Sequence, residues 1–129
     1  MDRALSRRDF SGAGAALLLA GCATGEAAAQ AGDALYGLIG EMKAAPGKRA
    51  ELIGYLLEGS GEMRGNLAYI VAEDAADADA IWITEVWRSK ADHEASLALP
   101  HVREAIARAR PIIAGFGTSV ETRPVGFAR

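Results

Sequence analysis

Residues Ala80–Trp87 read Ala-Ile-Trp-Ile-Thr-Glu-Val-Trp, an eight-residue run of β-branched and aromatic side chains in which Glu85 is the only charge. Such a run is a strand, because branched and ring side chains pack well on a pleated surface and poorly along a helix. Alternation places Trp82, Thr84 and Val86 on one face and Ile81, Ile83 and Trp87 on the other. An antiparallel sheet with a wet side shows polar residues there. This strand has only Thr84 on one face and Glu85 on the other, so neither face is a wet one and both are expected to be covered. Glu85 sharpens the constraint: a carboxylate inside an apolar strand costs several kcal/mol to bury unpaired and so needs a partner. Arg103 and Arg64 are the candidates for a salt bridge.

The flanking segments supply the rest of a sheet and its helices. Leu35–Met42 reads as a strand that Ala45-Pro46-Gly47-Lys48 breaks, and Arg49–Glu58 follows with Ala50, Ile53, Leu56 and Leu57 at helical spacing. Asn66–Glu73 is a second strand, and Asp74–Asp79 an acidic turn. Ser89 stands as an N-cap with Asp92 three residues on, and predicts a helix through Leu97. Pro100 suits the first turn of another helix, with Val102, Ala105, Ile106 and Ala109 on its apolar face, and Pro111 ends it. Phe116–Glu121 is the last strand. Strand, helix, strand, strand, helix, strand is the split βαββαβ order of the ferredoxin-like α+β fold. About 90 residues with two helical layers on one side cannot cover both faces of such a sheet. The second face is therefore expected to bury against another copy, as a homodimer with sheets face to face.

The first thirty of the 129 residues differ in character. Arg3, Arg7 and Arg8 precede an apolar, small-residue stretch from Gly12 to Ala20, too short for the roughly 20 residues that span a bilayer as a helix. Ser6-Arg7-Arg8-Asp9-Phe10 resembles a twin-arginine (Tat) export signal, and Leu19-Ala20-Gly21-Cys22 resembles a lipoprotein signal whose Cys is acylated. Residues 1–22 are thus expected to be an export signal, 23–34 a flexible Ala/Gly-rich tether, and 35–124 the folded domain. Cys22 is the candidate lipidation site, and Ala23 after it favours the outer membrane by resemblance to Gram-negative lipoproteins. Cleavage after Ala29 or Ala31 would instead release a soluble periplasmic domain. The lone cysteine excludes an intrachain disulfide and a cysteine-cluster metal site. Seventeen acidic against fourteen basic side chains, a net charge of −3, leave nothing to neutralise a phosphate backbone, so nucleic acid is not an expected partner. Arg103, Arg108 and Arg110 read as a solvated helix face. The membrane is expected as a partner only through an anchor at Cys22.

Residues 65–102 carry a recognisable pattern. Gly65-x-x-x-Tyr69 opens the second strand, Glu85-Val86-Trp87 closes the third, and Ser89-Lys-Ala-Asp-His-Glu-Ala-Ser-Leu-Ala-Leu-Pro100-His101-Val102 follows. With Pro46-Gly47-Lys48, this resembles the antibiotic biosynthesis monooxygenase domain family, and within it the small quinol monooxygenases. The resemblance implies a dimeric α+β barrel with an apolar pocket between helices and sheet in each subunit. It implies oxygenation of a quinol or polycyclic phenol by O₂ with no metal or flavin cofactor. Such chemistry needs a base, a dry cavity and a donor for the developing oxyanion. By the same resemblance His101 is the acid/base, Trp87 a pocket wall, and Asn66, Tyr69 and Glu85 further substrate contacts. Many members carry a histidine nine residues after the strand-end aromatic; here that position is Ser96, and His93 is the candidate to replace it. The positions that hold haem in related degrading enzymes are Ile106 and Met42 here, which disfavours haem. Two other functions fit the same fold: a non-catalytic periplasmic binding protein for a small apolar ligand, and an isomerase of a small dicarbonyl.

Overall fold

The computed structural model describes residues 34–126 and Ala128. The expected export signal, Cys22, both alternative cleavage points and residues 23–33 of the tether lie outside the described residues. Strand β1 (Tyr36–Ala44) leads through a Pro46-Gly47 turn into helix α1 (Arg49–Gly59). Strands β2 (Asn66–Glu73) and β3 (Ala80–Trp87) follow, then helices α2 (Lys90–Ser96) and α3 (Pro100–Ala109). A 3₁₀ turn at Arg110–Ile112 delivers the chain to β4 (Ile113–Thr122). The sheet order is β2-β3-β1-β4 with every neighbouring pair antiparallel, which is the ferredoxin-like α+β arrangement that the element order predicts.

The last strand starts three residues earlier than the sequence pattern suggests. β1 runs on to Ala44, which pairs with Ile113, so the ladder extends past the expected end at Met42. Pro111 sits inside the 3₁₀ turn, where its missing N–H breaks no ladder bond. The bonds between β1 and β4 shift register around Glu41, the irregularity that bends the edge strand.

Odd-numbered residues of β3 face the helices. Ile81, Ile83, Ala44, Leu52 and Ala109 form the central core, with Met42, Tyr69 and Val71 packed around it. Helices α1 and α3 cross at small residues: a Cβ on Gly59 would stand 2.6 Å from that of Ala105. Gly65 has φ +84°, a conformation that disfavours any side chain, and a Cβ there would collide with Asp92 of α2. Its carbonyl accepts from the Arg88 N–H at 2.8 Å, so this one glycine ties the start of β2 to the end of β3.

The opposite face of the sheet is covered by nothing in the described chain. The register lines up Ile70, Thr84, Ile39 and Val120 in one row across all four strands. Ile70 is 55%, Ile39 36% and Val120 45% exposed. Trp82, on this face, sends its indole N–H to Asp74 Oδ2 at 2.8 Å. No helix among the described residues is long and apolar enough to cross a membrane. Leu52 is fully buried at the centre of the core, so Leu52→Ala is expected to cost about 2–5 kcal/mol, read as a lowered denaturant midpoint.

Candidate active site

A cavity of about 100 Å³ lies between the helix-facing side of the sheet and the three helices. Tyr69 from β2 and Glu85 and Trp87 from β3 form its floor. Helix α2 contributes His93, Ser96 and Leu97, one helical face at i, i+3 and i+4. α3 closes it with Val102, Ala105 and Ile106. A second hollow of about 190 Å³ lies over β1 and β4, lined by Leu38, Glu41, Met42, Phe116 and again Glu85, so Glu85 borders both spaces.

Glu85 sits in a cross-strand row with Tyr69 on one side and Leu38 on the other. Neither Arg103 nor Arg64 reaches it: no ion pair involves Glu85 among the described residues. Arg64 borders a separate hollow with Asp92, and Arg103 is exposed on α3. The partner is instead the indole N–H of Trp87, two residues along the same face, which donates to Glu85 Oε2 at 3.0 Å. An indole satisfies an oxygen without cancelling its charge, so burial dominates and pushes the Glu85 carboxyl above the ordinary glutamate value. The Trp87 N–H and nearby His93 pull the other way with less effect. Burial also raises the Tyr69 hydroxyl strongly, and the charge of Glu85 adds to it.

His93 is half-buried rather than a solvated first-turn residue. Ser89 Oγ accepts from the Asp92 N–H at 3.1 Å, which starts α2 in the phase that turns Asp92 toward Gly65 and His93 toward the sheet. The imidazole meets Trp87 edge-on at 5.3 Å between ring centroids and lies tilted against Tyr36 at 5.4 Å. Its Nδ1 is buried with no partner among the described residues. An unsatisfied buried nitrogen costs about 1–3 kcal/mol. Behind it, the Tyr36 hydroxyl donates to Glu121 Oε2 at 3.1 Å, and Lys90 pairs with the same oxygen. Ser96 is buried against the cavity and donates to the His93 carbonyl at 2.6 Å.

The remaining candidates from the sequence stand elsewhere. His101 is exposed on the first turn of α3, outside the cavity lining, with its Nε2–H donating to the Gly61 carbonyl at 2.6 Å. Asn66 donates to the carbonyls of Ala68 and Val86 and secures the irregular start of β2. The cavity therefore gathers Trp87, Tyr69, Glu85 and His93, and leaves out His101 and Asn66. Ser96, Leu97 and Ile106 join it although none was a candidate site residue; their spacing from His93 and Val102 is the signal that could have found them. No group of three or more His, Cys, Asp or Glu side chains is placed to hold a metal among the described residues.

Fold and site define a ferredoxin-like domain with a carboxylate-bearing cavity under its helices. The antibiotic biosynthesis monooxygenase family profile matches residues 35–108. A solved structure from Chloroflexus aurantiacus, described as an antibiotic biosynthesis monooxygenase, is 55% identical, with a TM-score of 0.72 over 74% of this chain and 97% of that one. A Pseudomonas aeruginosa structure, 20% identical, covers 72% of this chain and 96% of its own at a TM-score of 0.63. One from Nitrosomonas europaea, 14% identical, covers 71% and 89% at 0.61; these two share the fold. No curated protein matches the chain. The chain belongs to the antibiotic biosynthesis monooxygenase family.

The raised Glu85 carboxyl has a consequence for stability. Between its ordinary value of 4.5 and its higher value in the folded chain, the native state holds more protons than the unfolded one. Stability from this group is therefore present below pH 4.5 and lost as pH rises through the folded value. Glu85→Gln keeps an oxygen for the Trp87 N–H and removes the charge. Its melting temperature should exceed that of the wild type at pH 8 and converge with it at pH 4; equal melting temperatures at both pH values would refute the buried-charge account.

Proposed function

We propose that the protein is an oxygenase that converts a quinol or polycyclic phenol with O₂, and that Glu85 accepts the substrate proton. The observation that carries this reading is the carboxylate itself: half-buried at an apolar cavity, held by an indole N–H, with no ion-pair partner among the described residues. A base raised toward neutrality is matched to a phenol better than an ordinary carboxylate is. Deprotonation makes the ring electron-rich enough to reduce O₂. The balance needs no outside reductant, because a quinol and O₂ give a hydroxyquinone and water, all four electrons coming from the substrate. Trp87 and Tyr69 supply flat apolar walls. Tyr69, protonated over the whole working range, and His93 are the groups able to donate toward a developing oxyanion.

The test is O₂ uptake with menadiol, with chelator present and no added flavin. Glu85→Gln is expected to lower kcat by about 10²–10⁴. His101→Ala, altered outside the cavity, is expected to stay within about twofold of the wild type. No turnover, or turnover stopped by the chelator, defeats the oxygenase; full activity in Glu85→Gln removes that residue from the proton step. Ligand-induced thermal shifts without product would favour the non-catalytic binding protein, and product without incorporated labelled oxygen the isomerase.

Export to the periplasm, with or without an acyl anchor on Cys22, belongs to the same reading and rests on residues 1–31. The homodimer does too. What supports it is the exposed row Ile70, Thr84, Ile39 and Val120, an apolar surface across the whole sheet. Ile39→Asp places a charge at the middle of that row. Light scattering after size exclusion should then move from a two-chain mass to one chain, whereas a variant that remains two-chain sinks the face-to-face arrangement.

A further inference from the structure

We infer that the cavity opens onto a charged outer subsite, so that the substrate class is an aromatic ring carrying an anionic group. This rests on the cavity being the ligand site of the proposed oxygenase, and it adds what that reading lacks, the polar end of the ligand. A surface groove of about 530 Å³ shares Leu97 and Ile106 with the inner cavity, so these two side chains form the wall between the two spaces. Leu97, the C-cap of α2, leaves 47% of its surface exposed. The groove is flanked by Arg103 and Arg110, with Ala107 between them. Positions 103, 106, 107 and 110 make one stripe along α3 and its 3₁₀ extension, so the guanidinium groups stand on either side of the apolar seam.

Like Arg64, Arg88 and Arg123, these two arginines make no ion pair among the described residues, and they are the pair that shares the groove. Arg49 pairs with Glu73 and Arg108 with Glu58, whereas Arg103 and Arg110 have no carboxylate partner among the described residues. The chain carries more acid than base, so two free cations placed side by side at an apolar mouth are a local reversal of its charge. Guanidinium groups bind carboxylate, sulfonate or phosphate through a planar fork of donors. The inner cavity, at about 100 Å³, is smaller than the roughly 150 Å³ apolar cavity that takes benzene, so it encloses no more than part of one ring. A larger ligand must pass between Leu97 and Ile106, and its far end then emerges beside the arginines.

The experiment titrates the full chain with naphthalene-2-carboxylate and with its neutral analogue naphthalene-2-carboxamide, by calorimetry. The carboxylate is expected to bind about tenfold more tightly, each exposed contact supplying roughly two- to fivefold. The double variant Arg103→Gln/Arg110→Gln brings the ratio to about one without weakening the carboxamide. Ile106→Trp fills the seam and weakens both ligands. The inference is overturned by equal affinities in the wild type, by no binding of either ligand, by a preference that outlives both arginines, or by an Ile106→Trp variant that binds both unchanged. Menadiol turnover on the same preparation separates the two readings. Turnover without a carboxylate preference overturns the charged subsite and leaves the oxygenase standing. Preference without turnover supports the subsite and removes the oxygenase.

Discussion

The indole of Trp87 is fully buried at the end of a central strand, and its N–H is spent on the carboxylate of Glu85 two residues earlier. Three parts of the domain meet on this one side chain. It pairs across the sheet with Tyr36 of β1, its ring receives His93 of α2, and its donor holds the only carboxylate that borders the cavity. A neutral donor satisfies one oxygen and leaves the charge uncancelled, so Glu85 stays strained toward protonation. An arginine in the same place would have cancelled the charge and lowered the carboxyl instead of leaving it raised.

The helices make room for the carboxylate by being close where they touch each other and small where they face the sheet. Gly59 against Ala105 lets α1 and α3 meet nearly backbone to backbone. On α2, Ser96 stands where a bulkier ring would have filled the space between His93 and Val102. The cavity is thus a result of side-chain size at a few helix positions. The sheet contributes chemistry to it only through Tyr69, Glu85 and Trp87. Its other face does the opposite work, offering Ile70, Ile39 and Val120 as an apolar surface with no ionisable group in the row.

Much of this was legible in the residues because the signals are local. The switch between two-residue and helical periodicity, the Ser89 cap, Pro100 at a helix start and the Pro46-Gly47 break each act over a few positions, and the observed elements follow them closely. The same local reading missed the two residues after Met42 and the three before Phe116, because Ala44 and Ile113 extend the ladder only by pairing with each other. For the site, the sequence pattern points to Trp87, Tyr69 and Glu85, but a lone carboxylate in an apolar strand suggests a cation as its partner, and none pairs with it among the described residues. The group that serves is a strand neighbour whose indole happens to fold back over the same face.

The histidines show the division most clearly. His93 and His101 are eight residues apart and equally polar, and the family resemblance favours the one behind Pro100. By itself the sequence determined the order of elements and a strand with apolar side chains on both faces, since these follow from alternation and chain breaks, and it carried the family resemblance in the residues around Glu85-Val86-Trp87 and Pro100-His101. Only the tertiary structure decided which imidazole enters the cavity, because that depends on the phase in which α2 docks. The Ser89 cap and the contact of Asp92 at Gly65 set that phase, and they turn His93 onto Trp87 while His101 is left at the Gly61 carbonyl.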